Sequence, residues 1–412
     1  MADAAGASPA GATAAAPPPS SFTPPASTLG PATELEPRRS QLPPSSCIDG
    51  SLEARQVAGV ATLDVKGGMT EYPVVVCEGS GHGFSWAVGE TQGRRKTMED
   101  AHVVNLDIDG RGTALFAVFD GHSGREVSSF CAQHIVEEVV RSPCLAAGDL
   151  CGALRGALLA LDERLLGEAA RAELAGLAHK LSGGGSPPVH LYGMVDEQGR
   201  YAGPDAGSTA AVALVRGDTL AVAHAGDSRV VLSENGVAQA LTEDHKPDTP
   251  AERERITNAG LFVGQRPGGV PRVGGSLAMS RAMGDVKFKD PSLPVERQAV
   301  TAAPDTTAVH LAPAPPPADP AEAGAGAGAP GCGSGGRLLV VACDGLWDVM
   351  SRQQVINFLE LQLGRPPVGP LRPALTALLH EALRHDSRSK PTTDNVSVVL
   401  VRLPVGAPWG GA

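Results

Sequence analysis

Five acidic positions stand beside apolar runs: Glu99-Asp100, Asp120, Asp227, Asp344 with Asp348, and Asp394. Two of them share one form. Leu115-Phe116-Ala117-Val118-Phe119 runs into Asp120-Gly121-His122, and Leu338-Leu339-Val340-Val341-Ala342-Cys343 runs into Asp344-Gly345. An unbroken apolar run closed by Asp-Gly reads as a buried strand that delivers a carboxylate to its end. Gly121 lets the backbone approach closely or take an unusual φ. Asp227 lies between two apolar runs, where a hairpin turn presents it, and Asp394-Asn395 directly precedes the last run. Taken singly, each Asp is a turn former, since Asp-Gly and Asp-Ser are common turn dipeptides. Five such positions at strand ends are another matter, because burying that many carboxylates together without cations is prohibitively repulsive. Oxygen ligands without nearby Cys or His pairs suit Mg²⁺ or Mn²⁺. Two such ions bridged by a water make hydroxide available near neutral pH.

Composition narrows the setting. A net charge of −11 argues against nucleic-acid backbone binding as the main activity. With 42 % hydrophobic but only 3 % aromatic residues, the core must rest on Val, Leu and Ala. The seven cysteines are scattered without metal-ligand or framework spacing, which suits free thiols in a reducing compartment, cytoplasm and/or nucleus. No cysteine is followed six positions on by arginine, so a cysteine-nucleophile phosphatase pattern is absent. No run approaches the roughly 20 apolar residues of a membrane helix, and no secretory signal is visible. The first 33 residues are rich in Ala, Ser and Thr but lack arginine, leaving organelle targeting by this tail as an open alternative.

The elements that must position the carboxylates follow in order. Residues 1–56 read as a disordered Ala/Pro/Ser-rich tail and 57–82 as an extension with one peripheral strand at 72–77. Strands are expected over 84–88, 103–107, 113–119, 208–215, 220–224, 230–233, 337–343 and 395–403. Val127, Phe130, Ile135 and Val139 mark one helix; Leu150, Leu154, Leu158, Leu161 and Leu165 mark a second, running on through Leu174 and Leu177 to Gly183. Segments 182–206 and 312–336 read as flexible insertions and 261–298 as an irregular flap. Thr249-Pro250-Ala251-Glu252 and Ser351-Arg352-Gln353-Gln354 read as capping signals for two short helices, Asn235-Gly236 as a turn, and 371–384 as a further helix. Residues 405–412 form a short tail.

Ordered along 83–403, these segments resemble the type-2C metal-dependent serine/threonine protein phosphatases. The matching pieces are Arg95–His102, Phe119–Gly124, Gly207–Ala210, Ala225–Arg229, Asp244–Pro247, Leu277–Asp285, Ala342–Asp348 and Asp394–Ser397. The stretch Lys287–Glu296 looks like a plant-type or general eukaryotic branch, and the flap, 261–275, has no Trp of the hormone-receptor-docking kind. The resemblance implies an α+β fold: a four-layer α/β/β/α sandwich of two antiparallel sheets flanked by helices, within a domain spanning 83–404. It implies that Asp120 bridges two Mg²⁺ or Mn²⁺ ions, with Gly121 offering its carbonyl. Asp344 and Asp394 would hold one ion, Glu99 would face the other through water, and Asp100 would support the metal-bound water. Asp227 and Asp348 match positions of a weaker third ion. Arg95 would clamp the substrate phosphate, His122 would protonate the leaving Ser or Thr oxygen, and the bridging hydroxide would attack phosphorus. Implied partners are phosphoserine and phosphothreonine proteins acted on by a monomer.

Three rival readings stand beside this one. A catalytically weak scaffold would have lost metal carboxylates, whereas Asp120, Asp344 and Asp394 are present. An acidic Ca²⁺ module lacks an EF-hand loop here and leaves Arg95 unexplained. A phosphatase of a small phosphorylated metabolite would differ only in its flap and loop surfaces. His102, His134, His224 and Cys343 read as structural.

Overall fold

The structure, a computed structural model, describes residues 72–179, 192–311, 336–364, 366–384 and 394–404. The apolar runs become strands because both of their faces are covered, so alternation between apolar and polar residues is lost. The first half contains β1 (Val74–Gly81), β2 (Phe84–Thr91), β3 (Ala101–Asn105), β4 (Ala114–Phe119), β5 (Gly121–His122), α1 (Glu126–Arg141), α2 (Pro143–Ala146), α3 (Leu150–Leu165) and α4 (Glu168–His179). Then come β6 (Met194–Val195), β7 (Tyr201–Gly203), β8 (Gly207–Ser208), β9 (Ala210–Arg216), β10 (Thr219–Ala225), β11 (Arg229–Glu234), β12 (Val237–Ala240) and α5 (Pro250–Asn258). The last part holds β13 (Val263–Gly264), β14 (Arg272–Val273), β15 (Met283–Gly284), β16 (Asp305–His310), β17 (Arg337–Ala342), α6 (Asp344–Trp347), α7 (Arg352–Leu363), α8 (Leu371–Arg384) and β18 (Val396–Leu403).

Two antiparallel sheets carry the fold, one in the order β1-β2-β18-β17-β11-β12 and the other β16-β10-β9-β4-β3. Their strands sort side chains by period two. On β4, Ala114, Phe116 and Val118 face the layer between the sheets, while Leu115, Ala117 and Phe119 face α1, α3 and α4. On β17, Leu339 and Val341 face the inter-sheet layer, while Leu338, Val340 and Ala342 pack under α7 and α8. Phe84 of β2 meets Phe116 of β4 edge to face across this layer, with ring centroids 5.5 Å apart. The expected α+β sandwich of four layers is therefore present. Each buried Leu or Phe in it contributes about 1.5–3 kcal/mol, which is how a chain so poor in aromatics holds two large sheets.

Several local expectations need correction. The second helix is two, since α3 stops at Leu165 and α4 starts at Glu168. Leu166 and Gly167 close α3 with tight i→i−3 hydrogen bonds to Glu163 and Arg164, 3.1 and 3.0 Å, and glycine is a poor helix residue. The 208–215 run splits at Thr209, where the chain leaves a small sheet and enters the large one as β9. Asp227 is not on a hairpin: β10 belongs to the five-stranded sheet and β11 to the six-stranded one, so the chain crosses between sheets there. The segment read as an insertion at 182–206 holds the β6–β7 hairpin, with Tyr192 and Tyr201 buried in the core; residues 180–191 lie outside the described residues. The 312–336 segment lies outside them except for Gly336, as do both tails.

Ser351 does form the capping box with Gln354. Thr249 begins α5 without a side-chain cap, its hydroxyl donating instead to the Lys246 carbonyl at 3.0 Å, and Glu252 is engaged elsewhere. Buried Glu252 binds Arg255 at 2.7 Å and Arg281 at 2.8 Å and also accepts from Ser280, tying α5 to the segment that follows the flap. Although burial pushes the Glu252 carboxyl upward, the two guanidinium groups and the Ser280 hydroxyl win and hold it at about 2, below the ordinary 4.5. Its contribution is therefore complete above the ordinary glutamate value and is lost as pH falls toward 2. Glu252→Gln, which leaves two buried guanidinium groups without their charge partner, should cost about 3 kcal/mol at neutral pH. In thermal or urea unfolding, the gap between wild type and variant should narrow as pH falls from about 5 to about 2. A gap that stays constant over that range would remove Glu252 from the acid-sensitive contacts.

Candidate metal centre

All five acidic positions arrive at one end of the two sheets. β4 ends at Phe119 and hands over Asp120; β17 ends at Ala342, and α6 opens with Asp344 and is followed by Asp348. Asp394 and Asn395 stand immediately before β18, Glu99 and Asp100 immediately before β3, and Asp227 at the crossing from β10 to β11. Asn395 ties two of these approaches together. Its Oδ1 accepts from the Glu99 backbone at 2.9 Å, and its Nδ2 donates to the carbonyls of Gln92 and Thr97 at 2.8 and 2.9 Å. Asp120 is fixed through its backbone, donating to Thr209 Oγ1 at 3.1 Å and accepting from Thr209 N–H at 2.8 Å.

Asp120, Gly121, Glu99, Asp227, Asp344, Asp348, Asp394, Arg95 and His122 all line one cavity of about 960 Å³, and Asp100 lies buried beside Asp120. The ten residues singled out in the sequence are thus brought together. Gly121 earns its place by close approach, since a Cβ there would collide with the Glu99 carbonyl oxygen. It also pairs with Ser208 in a small sheet, β5-β8-β15, which sets His122 opposite Gly207.

The charges do not balance within the protein. Burial, then the neighbouring Asp100, Asp344, Asp227 and Asp394, pushes the Asp120 carboxyl far above the usual range. Asp344 is pushed up likewise by burial and by Asp227, Asp348 and Asp394. Asp100 rises from 3.8 to about 7, chiefly by burial, with only the neutral Ser397 hydroxyl and Cys343 thiol near enough to oppose the rise. A shift of that size sets on the order of 4 kcal/mol against the ionised form. One Asp227 oxygen is buried and unpartnered as well. Carboxylates in this state, with oxygen donors converging, fit hard divalent cations. Cys343, close to Asp100 and Asp120, does not join them. Burial and the surrounding carboxylates keep its thiol protonated, and its Sγ accepts from Ser397 N–H at 3.1 Å.

A second group, His224, His245 and Asp305, has ligand-type atoms in reach of one another. Its hydrogen bonds argue against metal. His245 Nδ1 accepts from Gly226 N–H at 3.1 Å, so Nε2 carries the proton that Asp305 takes at 3.1 Å. His224 stacks on His245 and donates to the Glu243 carbonyl at 2.8 Å, a structural arrangement.

Arg95, His122 and Lys246 are among the basic groups that line the acidic end. Arg95, half exposed at the rim, is paired with Asp394. His122 Nε2 donates to Asp285 Oδ2 at 2.6 Å, and its Nδ1 is buried without a protein partner. Burial lowers the imidazole's basicity, but the Asp285 carboxylate outweighs this and raises it overall. Lys246 is paired with Asp227. Asp285 and Lys246 were missed as functional residues. Both stand in the motifs quoted above, Leu277–Asp285 and Asp244–Pro247, yet no period or spacing connects them to their partners. Asp285 is held firmly: Asp162 of α3 accepts from Gly284 N–H at 2.8 Å and from the Lys289 ammonium at 2.7 Å, and a Cβ on Gly207 would strike both Asp285 and His122.

The Protein phosphatase 2C family profile matches residues 84–186, 191–314 and 333–395, taking in most of the segment expected to be an insertion at 182–206. Among curated relatives, Probable protein phosphatase 2C 60 of Arabidopsis thaliana is 36 % identical over 349 residues, covering 79 % of this chain and 88 % of its own length. Probable protein phosphatase 2C 58 of Oryza sativa subsp. japonica is 36 % identical over 342 residues, covering 79 % of this chain and 85 % of its own. Among solved structures, a phosphatase from a pathogenic strain of Toxoplasma gondii superposes with a TM-score of 0.57 at 23 % identity, covering 80 % of this chain and 96 % of that one. At that identity it speaks for the fold.

The imbalance of charge has a measurable consequence. In chelator, Asp120→Asn should unfold at a higher temperature than wild type, because one repelling carboxylate is gone. Added Mn²⁺ should stabilise wild type by about 2–3 kcal/mol at about 100 times its Kd, and the variant much less. Equal Mn²⁺-induced shifts in calorimetry of the two proteins would take Asp120 out of the centre.

Proposed function

The chain belongs to the protein phosphatase 2C family, and on that footing we propose that it hydrolyses phosphoserine and phosphothreonine in proteins with the help of Mg²⁺ or Mn²⁺. The observation that carries the reading is the meeting of buried, mutually repelling carboxylates from both sheets in one cavity with Arg95 at its rim. Asp120 and the Gly121 carbonyl would serve two ions, with Asp344 and Asp394 on one and Glu99 toward the other; Asp227 and Asp348 would serve a weaker third. When bound, such ions supply a nucleophile by lowering the pKa of a coordinated water. Asp100, buried behind Asp120, would accept from that water.

The chain's own groups bind the substrate and move its proton. The planar fork of Arg95 suits bidentate capture of a phosphate dianion, and its pairing with Asp394 keeps it aimed into the cavity. His122, oriented by the hydrogen bond from its Nε2 to Asp285, would supply the proton to the leaving Ser or Thr oxygen. Val270, Leu277 and Met279 of the flap line the same cavity and offer an apolar surface to the substrate chain. The phosphatase domain is taken as 83–404 together with β1, Val74–Gly81 of the extension read at 57–82, which completes the six-stranded sheet, between tails at 1–56 and 405–412. No described helix is long and apolar enough to cross a membrane. Scattered cysteines, none disulfide-bonded among the described ones, favour the cytoplasm or nucleus.

Turnover of a phosphothreonine peptide should require added Mn²⁺ or Mg²⁺ and vanish with chelator or with Asp120→Ala. Activity surviving both would overturn the metal-dependent reading. Arg95→Ala should lower kcat/KM by about 10–100-fold with Mn²⁺ binding kept. His122→Gln should slow the phosphopeptide by about 10²–10⁴-fold and an aryl phosphate, whose leaving group needs little protonation, far less. Equal losses on both substrates would remove His122 as the acid.

A further inference from the structure

Where Asp227 and Asp348 face the cavity, the chain already supplies a positive charge. Lys246 forms an ion pair with one oxygen of Asp227, and its ammonium lies 3.8 Å from Asp244 Oδ2. Its backbone is anchored beside Asp227: His245 N–H donates to the Gly226 carbonyl at 3.0 Å, and Ser280 N–H donates to the His245 carbonyl at 2.9 Å. Asp227 itself is 2 % exposed, and its other oxygen is buried with no partner. Asp344 and Asp348 also feel this ammonium, which draws their carboxyls down against burial. Asp244 is not idle either. It accepts from Arg229 Nε and Nη2, at 2.7 and 2.9 Å, so its charge is already largely compensated.

We propose that Lys246 is a built-in counter-cation that competes with the third metal ion for Asp227 and so sets how weakly that ion binds. This rests on the reading of Asp227 and Asp348 as ligands of a weaker third ion. An ion entering between Asp227 and Asp348 meets the Lys246 charge at a few ångströms and must displace it. The ammonium must then give up its hydrogen bond to Asp227 and turn toward Asp244, which Arg229 already holds, or toward solvent; that retreat is the cost of the ion's entry. The Lys246–Asp227 pair seen here corresponds to the site without its third ion. Occupancy of that site is thus governed by a side chain that coordinates no metal.

The test is Mn²⁺ binding to the full chain, followed by electron paramagnetic resonance of the unbound ion, with no substrate present. Wild type should show tight sites and one weaker site. Lys246→Gln should tighten the weaker site by at least about tenfold, since a like charge a few ångströms away is removed. Lys246→Arg, which keeps the charge, should stay near wild type, and Asp227→Asn should erase the weaker site. A Lys246→Gln isotherm that superposes on wild type, with the tight sites intact, overturns this inference alone. So does equal tightening by Lys246→Arg. Wild-type protein that binds no Mn²⁺ overturns the metal reading and this inference with it. Circular dichroism of each variant distinguishes these outcomes from misfolding, and the Lys246→Arg protein keeps the comparison open should Lys246→Gln fail to fold.

Discussion

Mutual repulsion among buried carboxylates at one end of the two sheets is the constraint on which the site depends. Two strands in different sheets, β4 and β17, each end by projecting an aspartate into the same space, and the starts of β3 and β18 add more. The protein answers this repulsion locally, with Arg95 on Asp394 and Lys246 on Asp227. It leaves Asp100 and Asp120 without any such partner, and the raised carboxyls there are the signature of charge the fold does not neutralise itself. A fold that keeps such a cluster trades stability for the capacity to hold cations.

Much of this was legible in the chain because burial on both faces leaves a plain mark. A strand covered on two sides reads as an unbroken apolar run, and where it stops at Asp-Gly the carboxylate stands at the sheet's end. Asp120 and Asp344 were readable on those grounds alone, and the roles of Arg95, Glu99 and Asp100 came with the family resemblance. What escaped was information that periodicity does not carry. Whether β10 and β11 turn back as a hairpin or cross to another sheet depends on pairing with strands far away in sequence. The α3–α4 break is hidden because the apolar positions continue across it. Asp285 reaches His122 across 163 residues, and nothing local in either segment announces the meeting.

The segment around β15 is tied down on both sides. Glu252 grips Arg281 just before β15, and Asp162 grips Lys289 just after it. Between these two clamps sits Asp285, in a left-handed backbone conformation with φ of 52°. Such a conformation costs a non-glycine residue on the order of 1–3 kcal/mol and persists only where the surroundings over-determine it. The two ion pairs supply that determination, so the imidazole and the loop that lines the cavity share one foundation.

The edge-to-face contact of Phe84 and Phe116 acquires a second meaning from this arrangement. Because Asp120 comes from one sheet and Asp344 and Asp394 from the other, the thickness of the layer between the sheets is also the ruler for the gap between these carboxylates. Side chains in that layer never touch a cation or a phosphate, yet a shaved ring there would let the sheets settle closer or slide. The spacing of the acidic cluster is thus written in the hydrocarbon interior as much as in the acids themselves.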